Sequence, residues 1–267
     1  MTQINNFLAD INAVAAEMDM TKAQTGGGDY TPPAAGPCRL RFVGYVEIGS
    51  HLKKGFQGAP DKVKPQARAF FEVSGPKHPA VERDGKKFPC AIVELRLDIS
   101  LNEKAGFKKL FDRLNYKGTA THIALLLGEG FRGNLVHREY KGADGKPRIA
   151  LELKNAEGWQ IFPPRVEDAE TGEMREVPVA PALTPLKCLL WSRPTRQQWE
   201  SIHIPGEYHA VLGEDGSVTR PARSKNYLQE LCKVAENYEG SALQALLDPA
   251  PTPGLDLGAD AFDDLAF

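Results

Sequence analysis

Three stretches within the first hundred residues alternate apolar and polar side chains, and this period of two constrains the fold more than any other feature of the chain. They span residues 39–48, 68–73 and 91–99. In the third, apolar side chains recur at every second position from Ala91 to Ile99. A strand turns successive side chains to opposite faces, so the sequence predicts three strands that each have one buried face.

A helical pattern and a hairpin pattern follow the three strands. An apolar stripe from Phe107 to Leu114 has the spacing of a helix that lies on a core. The sequence predicts helices over about 103–115 and 121–127, then strands at 131–140 and 148–154 joined by a Gly-containing loop. Three strands, a helical connection and a hairpin are the element order of an OB-fold. We therefore expect a mainly β protein of the α+β class, with a five-stranded OB-fold barrel, a helical connection between strands three and four, and C-terminal helices.

The chain is expected to have three parts. Residues 1–36 are predicted to be an N-terminal arm, with a short helix over 1–20 and a linker rich in Gly and Pro. Residues 37–247 form the OB-fold domain with its helical extension, and residues 248–267 form a disordered acidic tail. Within the extension, we expect a long loop at 159–186, a short strand at 187–191 and three short helices. The first two are expected to begin at the N-caps Thr195 and Ser224, and the last to span Ser241 to Leu247. Whether residues 160–247 extend the barrel or form a satellite domain is left open.

The first strand carries the pattern that most favours ligand binding. Its core face is expected to hold Leu40, Phe42, Val46 and Ile48, and its other face the cations Arg39 and Arg41 with Tyr45. Binding of single-stranded nucleic acid needs a positive groove for phosphates and aromatic rings on which bases stack. The candidate DNA-binding residues are Arg39, Arg41, Tyr45, Lys53, Lys54, Phe56, Arg68, Arg96, Arg138, Tyr140, Lys141, Arg148 and Trp159. For each one the alternative is structural: a packed ring for the aromatics, a solvated charge for the cations.

The charge of the chain is unevenly distributed. The formal net charge is -2, from 33 Lys and Arg against 35 Asp and Glu. Residues 248–267 hold five Asp and no base, so residues 1–247 keep 30 of the 35 acids against all 33 bases, a net charge of +3. A mildly basic body suits a polyanionic ligand.

Motifs of enzymes and of cofactor sites are missing from the sequence. The six His have no metal-ligand spacing, there is no GxSxG motif, and Gly26-Gly27-Gly28 lacks the context of a phosphate loop. The four Cys form no CxxC pair, which predicts reduced thiols in a cytoplasmic protein. We expect no secretory signal and no apolar run of the ~20 residues that span a membrane. The protein is therefore expected to be no enzyme, with no cofactor, no metal and no membrane association.

Two parts of the chain resemble phage-encoded single-stranded DNA-binding proteins. One is the tail Asp260-Ala-Phe-Asp-Asp-Leu-Ala-Phe267, an acidic segment that ends in Phe. The other is a set of body motifs: Gly44-Tyr-Val-Glu47, Ser100-Leu-Asn-Glu-Lys104, Pro163-Pro-Arg-Val-Glu-Asp168 and Ser224-Lys-Asn-Tyr-Leu228. The resemblance implies an OB-fold that coats single-stranded DNA without sequence specificity during phage DNA replication, recombination and repair in the host cytoplasm.

The resemblance also implies a role for the tail. Its residues Asp260, Phe262, Asp263, Asp264 and Phe267 would recruit a polymerase, helicase or nuclease and compete with DNA for the basic groove. Two alternatives stay open: an OB-fold adaptor that binds proteins, with incidental nucleic-acid binding, and a metal-dependent nuclease. The sequence also leaves open whether the protein is a homodimer and whether it prefers DNA or RNA.

Overall fold

The computed structural model describes residues 32–55, 58–142, 145–168, 170–213 and 216–248. The predicted N-terminal helix, Phe56 and the acidic tail beyond Asp248 lie outside these residues. The strands are β1 (Gly36–Lys53), β2 (Lys62–Ser74), β3 (Val81–Arg83), β4 (Lys86–Phe88), β5 (Ala91–Asp98), β6 (Gly130–Lys141), β7 (Pro147–Glu152), β8 (Lys154–Asn155), β9 (Gly158–Trp159), β10 (Ile161–Phe162), β11 (Arg165–Glu167), β12 (Met174–Glu176), β13 (Lys187–Leu189), β14 (Glu207–Tyr208), β15 (Val211–Leu212), β16 (Val218–Arg220) and β17 (Arg223–Ser224). The helices are α1 (Gly106–Leu114), a 3₁₀ helix (Ile123–Leu126), α2 (Arg196–Ser201), α3 (Tyr227–Lys233) and α4 (Ala242–Leu247).

One sheet organises the described part of the chain. Its long strands lie in the order β5–β2–β1–β6–β7 and pair in antiparallel fashion. The short strand β10 also pairs with β6, and β13 runs parallel to β1. The predicted mainly β class and the helix between the third and fourth long strands are confirmed.

The predicted closed barrel is wrong, because β5 and β7 lie at opposite ends of the strand order and are not hydrogen-bonded to each other. Closure depends on strand tilt and on the stagger of the register around the sheet. Neither quantity is encoded in the alternation of apolar and polar residues. The sequence therefore predicts the number and order of the long strands but not whether their ends meet.

Strand β1 contains two bulges that change which side chains share a face. The register with β2 shifts between Phe42 and Gly44 and again between Glu47 and Gly49, so Val43 and Ile48 are extra residues. After the first bulge, Tyr45 returns to the face of Leu40 and Phe42. The residues that pack on the other face are Val43, Val46 and Ile48. The predicted faces of this strand are therefore wrong, and Tyr45 does not share a face with Arg39 and Arg41.

The first core lies on one face of the sheet. Alternate residues of β2 and β5, including Phe71 and Leu95, point into it together with Tyr45. Helix α1 covers this core with Phe107, Leu110 and Leu114, and further buried side chains come from the 3₁₀ helix, β6 and the segment around β9 and β10. The stripe predicted from the sequence is thus the packing face of α1.

The second core lies on the opposite face of the same sheet. Val46 and Phe70 belong to one buried cluster with residues of the C-terminal helices, Trp199 of α2, Leu228 of α3 and Leu243 of α4. This packing answers the question left open for residues 160–247, because β13 extends the sheet and the three helices form a second layer on it. Both faces of β1 are buried along most of its length.

Of the two predicted N-caps, Thr195 is observed and Ser224 is not. Thr195 accepts a hydrogen bond from the amide of Gln198 and begins α2, and Ser241 accepts one from Gln244 and begins α4. Ser224 is not an N-cap, because α3 begins two residues later, after Asn226. The predicted loop at 159–186 is interrupted by β10 and by the β11–β12 hairpin. Among the described residues, no helix is both long enough and apolar enough to cross a membrane.

Candidate nucleic-acid interface

The opening between β5 and β7 forms a groove of about 540 Å³, which we call the β5–β7 groove. It is lined by Glu94, Leu95, Arg96, Arg138, Tyr140, Ala150, Leu151, Glu152, Leu153, Lys154 and Trp159. Four of these residues, Arg96, Arg138, Tyr140 and Trp159, are among the predicted DNA-binding residues. Arg148 lies opposite Tyr140 in the register of β6 and β7 and so shares its face of the hairpin.

Of the two aromatic residues that line the groove, Tyr140 is the exposed one. Its side chain is 41% exposed, and the guanidinium carbon of Arg138 lies 5.6 Å from its ring centroid. Arg138 also forms an ion pair with Glu152, in which its Nε donates a hydrogen bond to Oε1 of the carboxylate. This hydrogen bond raises the pKa of the guanidinium group. The pair lies in solvent, so its free energy is small and a phosphate group can compete for Arg138.

Arg96 is a highly accessible cation of the groove, with 79% of its side chain exposed. Its Nε lies 3.8 Å from Oε1 of Glu94, but Glu94 has two closer partners. The buried Arg68 places Nε 3.1 Å from the same Oε1, and the hydroxyl of Tyr227 donates to Oε2 at 3.0 Å. Because these groups already compensate the charge of Glu94, much of the positive charge of Arg96 stays directed to solvent.

Arg68 itself is a structural residue. It is 8% exposed, and burial lowers the pKa of its guanidinium group, an effect that the charge of Glu94 opposes. The two groups are close but not aligned as a hydrogen bond, since Nε of Arg68 and Oε1 of Glu94 both lack one. Their interaction is therefore mainly the attraction of two charges at the edge of the second core.

Two predicted aromatic residues, Tyr45 and Trp159, are also buried and hydrogen-bonded within the protein. Tyr45 is 1% exposed, and its hydroxyl donates to Oε1 of Glu47 at 3.1 Å, so its ring offers no face to a base. Burial is also the main cause of the raised pKa of this phenol. Trp159 is 8% exposed, and its indole N–H donates to the carbonyl of Gly106 at 2.8 Å. The expectation that these two rings are open stacking platforms is wrong.

The remaining cations are scattered. Arg39 and Arg41 line a separate cavity of about 380 Å³ beside Glu72 and His78. Lys53 forms an ion pair with Asp98 at 2.5 Å, and Lys54 is exposed next to it. Lys141 is exposed near the end of the β6–β7 hairpin.

Lys154 is a groove residue that the sequence analysis missed. Its Nζ lies 5.3 Å from the ring centroid of Trp159. The alternation of residues 148–154 in the sequence indicates its position, since Arg148, Ala150, Glu152 and Lys154 fall on the same side of the pattern. The same count would have placed Glu152 beside the cations, which makes the groove mixed in charge rather than purely positive.

In the described part of the chain, no three His, Cys, Asp or Glu side chains are grouped so that they could hold a metal ion. No family model, curated protein or solved structure matches this chain.

Proposed function

We propose that this protein binds single-stranded DNA without sequence preference and that the β5–β7 groove is the binding site. The observation that carries the proposal is the meeting of Arg96, Arg138 and Tyr140 in one open groove, although they come from strands far apart in the sequence. An exposed ring beside cations can stack a base and hold the neighbouring phosphate, which is the chemistry of sequence-tolerant binding.

We further propose that the sheet is an OB-like arrangement that is open between β5 and β7. The strand order and the helical connection after the third long strand support this interpretation. In a closed barrel the edges of these two strands would pair with each other. Here the same edges line the groove instead, so the opening provides the space for a nucleic-acid strand.

The acidic tail has a separate proposed role in recruiting replication, recombination or repair proteins. Its five Asp and its two Phe, at 262 and 267, are a combination suited to a basic pocket with an apolar floor. The same charge makes the tail a tethered competitor for the groove. Removal of residues 248–267 is expected to tighten DNA binding because the competitor is lost.

Fluorescence anisotropy with labelled oligo-dT at two salt concentrations tests the binding site. The double variant Arg96→Gln, Arg138→Gln is expected to weaken binding about 10-fold and to reduce the slope of log K against log salt by about 1.4, since each lost phosphate contact on a single strand contributes ~0.7. Glu152→Gln should tighten binding, because it releases Arg138 from its ion pair.

The matched control is Arg220→Gln, which removes one charge from the exposed strand β16 outside the groove. It should leave affinity and salt slope unchanged. If wild-type protein fails to bind at low salt, or if the control weakens binding as much as the groove variant, the groove is not the site.

The adaptor alternative is supported by a different observation. Four exposed side chains, Tyr208, Val211, Leu212 and Val218, lie in the segment of β14, β15 and β16. Exposed apolar side chains grouped in one segment are typical of protein-binding surfaces. An adaptor would retain its partner binding in the double groove variant and lose it when this segment is changed.

A further inference from the structure

A second group of cations lies away from the β5–β7 groove, and aromatic rings rather than carboxylates hold it in place. We call it the α1–β10 cluster; it consists of Arg113, Tyr116, Arg132, Phe162 and Arg165.

Phe162 is the centre of the cluster. It lies opposite Arg132 in the register of β10 and β6, and the guanidinium carbon of Arg132 is 6.0 Å from its ring centroid. The guanidinium carbon of Arg113, in the last turn of α1, is 5.4 Å from the same centroid. The Nε of Arg132 also donates to the carbonyl of Pro163 at 3.1 Å, which fixes the side chain further.

Tyr116 is the second ring. It packs edge-on against the fully buried Phe131 with a centroid distance of 6.3 Å, so its position is set by the first core. The guanidinium carbon of Arg165 lies 5.6 Å from its centroid. Both rings therefore anchor arginines to a rigid part of the fold.

The electrostatic consequence distinguishes this cluster from the groove. Within the described residues, Arg113, Arg132 and Arg165 form no ion pair with a carboxylate, whereas Arg138 is paired with Glu152. A ring holds a guanidinium group through the cation–π interaction without cancelling its charge. Most of the N–H donors stay available, and the arginines are already ordered, which reduces the entropy lost when they bind a phosphate.

A basic surface connects the cluster to the groove. A cavity of about 480 Å³ is lined by Lys104, Lys109 and Arg113 on one side and by Lys154 and Trp159 on the other. It shares Lys154 and Trp159 with the β5–β7 groove and shares Arg113 with the cluster. The acids on this surface are Asp112 and Glu157, and Asp112 is paired with Lys108.

We propose that single-stranded DNA leaving the β5–β7 groove continues past Lys154 and along α1, and that the α1–β10 cluster holds its phosphates. This inference rests on the proposed function and adds the path of the strand to it. The groove supplies base stacking on Tyr140, and the cluster supplies phosphate contacts. The protein therefore covers a longer stretch of DNA than the groove alone could contact.

The test compares two oligo-dT lengths, of about 8 and about 24 nucleotides; the shorter lies within the range of roughly 4–16 nucleotides covered by one OB-type module, and the longer exceeds it. The double variant Arg113→Gln, Arg165→Gln removes two charges and keeps both rings. It is expected to weaken binding of the long oligonucleotide about 10-fold and to lower its salt slope by about 1.4, with the short one affected less than 2-fold. The groove variant Arg96→Gln, Arg138→Gln should weaken both lengths.

The control is Arg220→Gln, in the exposed strand β16, because Arg220 lines neither the groove nor the connecting cavity and is not part of the α1–β10 cluster. It should leave the long oligonucleotide's salt slope unchanged, and circular dichroism melting should show that all variants are folded. If the cluster variant binds the long oligonucleotide as wild type does, or weakens both lengths equally, the path is overturned while groove binding stands. If wild type binds neither length, the proposed function has failed, and the path fails with it.

Discussion

The guanidinium group of Arg41 shows how a residue that suits a phosphate can instead be part of the scaffold. It donates hydrogen bonds to the carbonyls of Gly128 at 2.7 Å, Val179 at 2.5 Å and Ala180 at 2.9 Å. These three bonds tie the turn before β6 and the segment before β13 to β1. The sequence shows Arg41 as no more than a cation on a strand, because the three carbonyls that it binds lie at least 87 residues further along the chain.

Arg41→Gln is expected to lower the free energy of unfolding by about 2 kcal/mol, because a long amide cannot replace a charged donor that satisfies three carbonyls. The DNA affinity and salt slope of the folded variant should equal those of wild type. Urea denaturation measures the first and anisotropy the second. A variant with wild-type stability and a salt slope reduced by about 0.7 would show that Arg41 contacts phosphate instead.

At the scale of elements, the bulges of β1 are the feature that places the site. They turn Tyr45 into the first core and direct Val43 and Ile48 into the second, so both faces of the strand are packed. The cationic face predicted for β1 is therefore not available, and the β5–β7 groove takes its cations from β5, β6 and β8 instead. A bulge adds one residue to the count of an otherwise regular alternation, and the apolar pattern around Val43 gives no separate sign of it.

Gly49, just after the second bulge, has φ of +83°, and a Cβ there would lie 2.6 Å from the ring of Trp191 and 2.5 Å from Cβ of Ala235. Gly49→Ala is expected to cost about 2–4 kcal/mol of stability, from strain and overlap together. The control is Gly85→Ala, which has φ of +69° and open space around it, and should cost about 1 kcal/mol. Equal losses in urea denaturation would mean that the packing around Gly49 adjusts freely.

At the scale of the whole molecule, the sheet is a middle layer between two cores, and each core contains a buried thiol. Burial raises the pKa of Cys38 and of Cys232 to about 12, from a usual value of 9.0. Burial also raises the pKa of Tyr227, in the layer of C-terminal helices. These groups are neutral in the native protein at pH values where they would already be ionised in the unfolded chain.

The stability of the protein is therefore expected to fall as the pH rises. Below about pH 9 the thiols are neutral in both states and their burial is fully favourable; between pH 9 and pH 12 the unfolded chain loses protons that the native protein keeps. The loss should be about 1–3 kcal/mol per pH unit, measured by urea denaturation from pH 8 to pH 11. The double variant Cys38→Ala, Cys232→Ala should show a clearly shallower loss. Cys90→Ala should change the loss less, because burial raises the pKa of this thiol too but the side chain is more exposed; identical slopes in wild type and both variants would contradict this expectation.

The sequence by itself determined the number and order of the long strands, the helix between the third and fourth, the cap of α2 and the position of α4. These are local properties, because alternation and capping depend on residues a few positions apart. The sequence also indicated Arg96, Arg138 and Tyr140 as candidate DNA-binding residues, but it did not indicate that they lie in one groove.

Only the tertiary structure decided which candidate residues are buried and which meet. The closure of the sheet, the second core and the α1–β10 cluster depend on contacts between distant segments, such as Phe162 with Arg113 and Arg132. Such contacts follow from register, bulges and packing, and no short stretch of sequence contains them. For the same reason, Tyr45 and Arg41 are residue types that are common at nucleic-acid interfaces but have structural roles here. Tyr45 packs in the first core, and Arg41 binds three backbone carbonyls.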